Sequence, residues 1–337
     1  MRAARTLSLD STVMVELPEP VCGAGEVICR VVACATCGSD VHGWYVQRKL
    51  PAVLGHEPVG QVVEVGRGVE RVATGDLVAI HHHAPCGVCG TCAAGRETLC
   101  PEFRVVNIDP GGFAEYARIP ARLVQELLPL EGLDPVVATC TEPLACVLRA
   151  QDRVALTPRD TLLVVGAGAS GLLHIAAARA RGVERVLVAE PREDRRERAR
   201  GWGAGPFPGE APGAPGAERC DVAIVTSDHP DAIAAGAAAL GPGGRLCAYA
   251  PPGIGAPIPV DGAEIFLREL TITASWSAGP GDMRAALALL QAGAVRTDEL
   301  ITHRFPLERT GAALAAQRDG SALKAVVLPW GGEPARS

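Results

Sequence analysis

Up to about residue 125, short apolar runs alternate with Gly, Pro and Asp. "EVICRVVAC", "GQVVEVG" and "DLVAIHH" are β-branched stretches of strand length. The texture changes near Asp160. There "TLLVVGAGASGLLHIAAARARGVERVLVAEP" reads as a buried strand, a glycine turn, a helix and a second strand. Such a βαβ unit joins parallel strands, which lie buried on both faces. "CDVAIVTS" and "GGRLCAYAPPG" continue as further short buried strands, and the Pro/Gly-rich residues 205–218 ahead of them predict a surface loop. From Asp282, "DMRAALALLQAG" has helical spacing and stops at Gly293, and "LKAVVLPW" returns to strand character. The pattern predicts an α/β chain: a β-rich part, then a doubly wound parallel sheet. No repeat of fixed period is present.

Composition narrows the function classes. The chain has 337 residues, 48% apolar and 21% charged, enough for two domains with a core each. No apolar run reaches the roughly 18 residues of a membrane span. The N-terminus lacks an apolar h-region and a small-residue cleavage site, which predicts a cytoplasmic protein. Net charge is −6 with no basic stripe, which argues against a nucleic-acid partner. The composition favours Ala, Gly, Pro and Arg, with only two lysines, Lys49 and Lys324.

Twelve cysteines need another explanation than disulfides in a chain with no export signal. Cys86, Cys89, Cys92 and Cys100 follow C-x2-C-x2-C-x7-C. Four thiolates suit a tetrahedral Zn²⁺, and four protein ligands close the coordination sphere, so the site is structural. An iron–sulfur cluster is the other use of four cysteines, but nothing else suggests electron transfer. His81, His82 and His83 precede them. They are expected to be bystanders on a solvated or hydrogen-bonded strand end, since the cysteines satisfy a zinc without them. Cys22, Cys29 and Cys247 sit in apolar runs and read as small hydrophobes.

Gly166, Gly168 and Gly171 form G-x-G-x-x-G between a strand and a helix, with Ala169 and Ser170 inside the turn. The first glycine permits the turn, the second admits a pyrophosphate close to the backbone, and the third lets helix pack on strand. The helix N-terminus adds N–H donors and a partial positive charge. Glu190 ends the second strand at the distance where a carboxylate meets the adenosine ribose hydroxyls, which favours NAD. Arg192, Arg195 and Arg196 follow it and keep NADP open.

Three further fragments carry chemistry: "CGSDVH", "GHEPVG" and "TEPLACVLRA", contributing Cys37, His56, Glu57 and Glu142. Cys, His and carboxylate can make a catalytic zinc site with one position open to substrate. Spacing alone does not bring these fragments together.

With these motifs, "GGFAEY" and the closing "ITHRFPLERTGAALAAQRDGSALKAVV", nearly the whole chain resembles the zinc-dependent medium-chain dehydrogenase/reductase superfamily, and within it the polyol and threonine dehydrogenase branch. The resemblance implies a GroES-like catalytic domain over residues 1–142, with a zinc lobe at about 84–102. A Rossmann domain follows over 143–280, and residues 281–337 return to the catalytic domain. It implies Cys37 and His56 as ligands of a catalytic zinc. Glu142 stands where alcohol dehydrogenases of the family use a second cysteine. Glu57 is a supporting group or alternating ligand, and Ser39 and His42 form a proton relay. Two Zn²⁺ per chain, NAD and a homodimer or homotetramer follow. The expected reaction is oxidation of a secondary alcohol of a polyol, sugar alcohol, cyclitol or aminocyclitol to a ketone. A threonine-type 3-hydroxy amino acid dehydrogenase ranks second, because no carboxylate-binding arginine is evident near the site. A non-catalytic nucleotide-binding protein on the same scaffold would be expected to lose ligands or relay groups that are all present here.

Overall fold

The computed structural model describes residues 1–208 and 218–331. Most of the expected 205–218 loop lies outside the described residues. Its first two residues, Gly205–Pro206, form a short strand beside Arg185–Ala189 instead of a loop.

The chain divides into two compact units, one of Met1–Ala145 with the segment from Ala278 onward, the other Cys146–Ser277. In the first unit the strand Val27–Ala35 is the organising element. It is buried along nearly its whole length, and its β-branched side chains fit a pleated surface packed on both faces. Glu57–Val65 pairs with it antiparallel, with Ala35 opposite Glu57 and Cys34 opposite Pro58. Lys324–Leu328 pairs on its other side, with Val326 opposite Ala35. The end of one strand and the beginnings of two others therefore meet at one place. Thr36 and Cys37 follow the first, His56 and Glu57 open the second, and Lys324 opens the third. Phe113, Ile80, Ile119 and Leu123 are fully buried in this unit's core. Each such side chain removed from water contributes about 1.5–3 kcal/mol.

The second unit is a parallel six-stranded sheet in the order Gly205–Pro206, Arg185–Ala189, Thr161–Val165, Cys220–Val225, Leu240–Ala248 and Thr271–Ala274. Leu162, Leu163 and Val164 are fully buried in its central strand, as the continuous apolar run requires. The helix expected from Asp282 begins slightly earlier, as Pro280–Gln291. Asp282 accepts the N–H of Gly279 at 2.7 Å and so caps the start from three residues inside. Among the described residues, no helix is long and apolar enough to cross a membrane.

Candidate active site

In the first unit, Cys37, His56 and Glu57 offer ligand atoms that all lie within 4.8 Å of one another. Strand pairing brings them there, and the local backbone completes the placement. Gly55 holds φ +93, and a Cβ on it would come within 2.8 Å of Cys34 Sγ and 2.9 Å of the Phe113 nitrogen. Only glycine lets the chain turn into His56 at this point.

His56 is aimed by a residue the motif reading passed over. Its Nδ1 lies 3.2 Å from Asp40 Oδ1, and Asp40 Oδ2 accepts the N–H of Cys37 at 3.0 Å. Burial works against charge on Asp40, but the His56 ring and the Cys37 N–H hold it below the ordinary carboxylate range. With Nδ1 directed at this carboxylate, Nε2 is left to face the cluster, the arrangement that orients metal-binding imidazoles. Ser39 Oγ lies 3.4 Å from that Nε2.

Glu57 is fully enclosed. Burial pushes its carboxyl up to about 7, against the pull of Lys324. Lys324, also buried, places Nζ 2.5 Å from Glu57 Oε2 and donates to the Thr36 carbonyl at 3.1 Å. Oε2 of Glu57 is thus taken up by the Lys324 ammonium, and its Oε1 has no hydrogen-bond partner among the described residues. A half-buried thiol, an oriented imidazole and an under-satisfied carboxylate are a donor set that fits a divalent cation of zinc's character. Glu142 is not part of the three-residue group. It lines the same recess as Glu57, together with Thr141, Ala138 and Met283, and its charge raises Glu57 further. His42 joins two short helices and packs edge-on against Trp44 at 5.7 Å.

The histidine run differs from expectation. His81 is fully buried with both ring nitrogens lacking hydrogen-bond partners among the described residues, and the His82 ring centroid lies 5.0 Å from that of His56. A solvated strand end does not describe His81, while His82 and His83 are half-buried.

The four cysteines Cys86, Cys89, Cys92 and Cys100 converge as the spacing predicts. Backbone N–H groups of Cys86 and Cys89 point at the sulfurs of Cys100 and Cys86, each at 3.3 Å. The Thr91 hydroxyl, then the Cys92 N–H, lower the Cys89 thiol to about 6. Burial and the hydrogen bond with Cys89 push Cys92 up to about 12. Four adjacent thiols ionise together only around a cation, so this donor set also fits zinc.

In the second unit, Gly166, Gly168 and Gly171 lie between the strand Thr161–Val165 and the helix Ala169–Ala180, with Ala169 and Ser170 in its first turn. A Cβ on Gly171 would come within 2.0 Å of the Gly166 carbonyl oxygen, whereas one on Gly168 would meet nothing within 4 Å. That open side is where a ligand can approach the backbone. Glu190 Oε2 accepts the N–H of Ala167 at 2.8 Å, and Oε1 accepts that of Arg192 at 3.0 Å. The carboxylate therefore ties the glycine turn to the neighbouring strand. Arg192 pairs with Asp194 at 2.8 Å, and Arg196 pairs with Glu193.

A dinucleotide-type turn and a Cys–His–carboxylate cluster, in a chain with a four-thiol lobe, define a zinc-dependent dehydrogenase. Known proteins agree. Residues 23–129 match the alcohol dehydrogenase GroES-like domain, and residues 169–292 match the zinc-binding dehydrogenase family. An L-threonine 3-dehydrogenase of Pyrococcus abyssi is 34% identical, with 94% of each chain covered. A zinc-binding dehydrogenase from Sinorhizobium meliloti 1021, bound to NADP, superimposes with a TM-score of 0.87 at 28% identity, covering 97% of this chain and 99% of that one. The 2R,3R-butanediol dehydrogenase of Bacillus subtilis gives 0.84 at 26% identity, again over 97% and 99%. The chain belongs to the zinc-dependent medium-chain dehydrogenases of the alcohol dehydrogenase superfamily. It is an NAD(P)-dependent enzyme acting on the CH–OH group of small-molecule alcohols.

Proposed function

We propose that the enzyme oxidises a secondary alcohol flanked by a second polar group, in a polyol, sugar alcohol, cyclitol or aminocyclitol, to the ketone with NAD. The observation that carries this reading is the Cys37–His56–Glu57 cluster, with Ser39 beside the His56 nitrogen that faces it. Cys37 and His56 would hold the catalytic zinc with a carboxylate, Glu142 or Glu57, and the four cysteines would hold the structural one. Bound zinc supplies a Lewis acid that lowers the pKa of an alcohol, and NAD supplies the hydride acceptor. The protein's own residues do the rest. Asp40 fixes the imidazole, Lys324 balances Glu57, and Ser39 takes the hydroxyl proton and passes it toward His42.

NAD is favoured over NADP by Glu190, whose charge opposes a 2′-phosphate, and by the engagement of Arg192 and Arg196 with carboxylates of their own. A homodimer or homotetramer is supported by the exposed Phe266 and Leu267 just ahead of the edge strand Thr271–Ala274. The glutamate-containing zinc site and the butanediol dehydrogenase relative support a substrate with adjacent hydroxyls. The L-threonine 3-dehydrogenase relative supports a second reading, oxidation of a 3-hydroxy amino acid. Following NADH formation across butanediol, cyclitols, aminocyclitols, sugar alcohols and L-threonine separates the two. Turnover of threonine above every polyol would replace the first reading with the second.

A further inference from the structure

The peptide that joins Thr36 to Cys37 stands between the supports of all three residues of the cluster. Its N–H, on Cys37, donates to Asp40 Oδ2 at 3.0 Å, and Asp40 Oδ1 meets the His56 ring. Its carbonyl, on Thr36, accepts from Lys324 Nζ at 3.1 Å, and Lys324 also pairs with Glu57. Turning this peptide plane would carry the Cys37 thiol with it and strain both bonds at once. The residue that fixes the plane is Thr36. Its N–H donates to the Ala325 carbonyl at 2.8 Å, one step beyond the pairing of Val326 with Ala35. Its hydroxyl donates to Gln317 Oε1 at 3.0 Å, on the helix Thr310–Asp319, and also reaches the Ala325 carbonyl at 3.2 Å.

Thr36 is wholly buried, and a valine would fill the same space. The backbone bond to Ala325 needs no hydroxyl. The hydroxyl therefore has a use beyond packing. A threonine side chain has few rotamers, so a bond to its hydroxyl also restrains the backbone that carries it. We infer that Thr36 is a positioning residue for the catalytic metal: its hydroxyl, held by Gln317, locks the Thr36–Cys37 peptide so that the Cys37 thiol meets His56 and Glu57. Gln317, Lys324 and Ala325 all belong to the segment in which the chain returns to the first unit. That segment is thus part of the metal site although it supplies no ligand, and groups that orient ligands govern how firmly a metal is kept. The inference rests on the proposed function, in which Cys37 is a zinc ligand.

The test follows release of zinc to a chromogenic chelator from the zinc-loaded full chain, as wild type, Thr36→Val, Thr36→Ser and Gln317→Leu. The release phase that is missing in Cys37→Ser belongs to the catalytic site, and the other belongs to the four cysteines. Thr36→Val is expected to speed the catalytic phase by about tenfold and to leave the four-cysteine phase unchanged. Thr36→Ser, which keeps the hydroxyl, is expected to return the rate to within about twofold of wild type. The inference is overturned if the catalytic phase in Thr36→Val stays within about twofold of wild type, if both phases speed up equally, or if Thr36→Ser is as fast as Thr36→Val. Should Thr36→Val fail to fold, Gln317→Leu decides, with a faster catalytic phase expected and an unmoved one overturning the inference. Wild type with no release phase that depends on Cys37 overturns the proposed function together with the inference. A Cys37-dependent phase that ignores Thr36 overturns the inference alone.

Discussion

The Lys324 ammonium lies 2.5 Å from a carboxylate oxygen of Glu57, and both side chains are almost wholly shut from solvent. Removing one partner of a buried ion pair leaves an uncompensated charge, which costs more than replacing both. Lys324→Met should therefore destabilise the protein by about 3–5 kcal/mol in urea unfolding. Adding Glu57→Gln should recover part of that loss. Strictly additive losses in the double variant would show that the two groups do not depend on each other.

The four-cysteine lobe should behave as an independent clamp. Cys100→Ser is expected to lower zinc from two ions per chain to one, while the Cys37 site keeps its metal. The apolar side chains of Val88 and Leu99 already stand exposed on the lobe, so its loosening should show as new protease cleavage between residues 86 and 100. Loss of both ions together would contradict the separation of the two sites.

Glu190 accepts the Ala167 N–H of the glycine turn, and the proposed preference for NAD rests on its charge. Glu190→Gln keeps the shape of the side chain and removes its charge. The ratio of kcat/KM for NAD to that for NADP should fall by about tenfold, which is about 1.4 kcal/mol. An unchanged ratio would assign Glu190 to holding the turn only.

His174, on the helix Ala169–Ala180, is fully buried edge-on to Tyr249 at 4.7 Å, with both ring nitrogens lacking hydrogen-bond partners among the described residues. Burial, then the charge of Arg181, lowers its pKa to about 3. The folded value lies below the unfolded one, so the unfolded chain takes up the proton first. The contribution to stability is complete above about pH 6.5 and is lost as pH falls toward 3. Between pH 6 and 4, wild type should lose stability more steeply than His174→Leu, by about 1.4 kcal/mol per pH unit. Equal slopes would contradict this.

The elements with a strong local signal were legible in the sequence. The βαβ unit announces itself because a buried parallel strand is continuously apolar and the glycine turn has fixed spacing. The four cysteines converge within one short lobe, so their spacing alone predicts their contact. Asp40 was visible inside "CGSDVH" but carried no signal of its own, because its role is defined by a bond to His56 made across the fold. Lys324 stood out only as one of two lysines. Its meeting with Glu57 comes from strands pairing side by side, Lys324–Leu328 and Glu57–Val65 on either edge of Val27–Ala35, a relationship no local pattern encodes. The histidine run differs for the opposite reason: three polar residues after a strand resemble a solvated end, and only tertiary packing buries His81 and sets the His82 ring against His56.

The central claim is that Cys37 and His56 hold the metal that activates the alcohol. The most direct measurement is zinc content alongside NADH formation in purified wild type and Cys37→Ser. The account predicts two zinc ions per chain in wild type, one in the variant, and turnover of the best polyol lowered by at least about a thousandfold, a transition-state loss on the order of 4 kcal/mol. Two zinc ions and undiminished turnover in Cys37→Ser would contradict it.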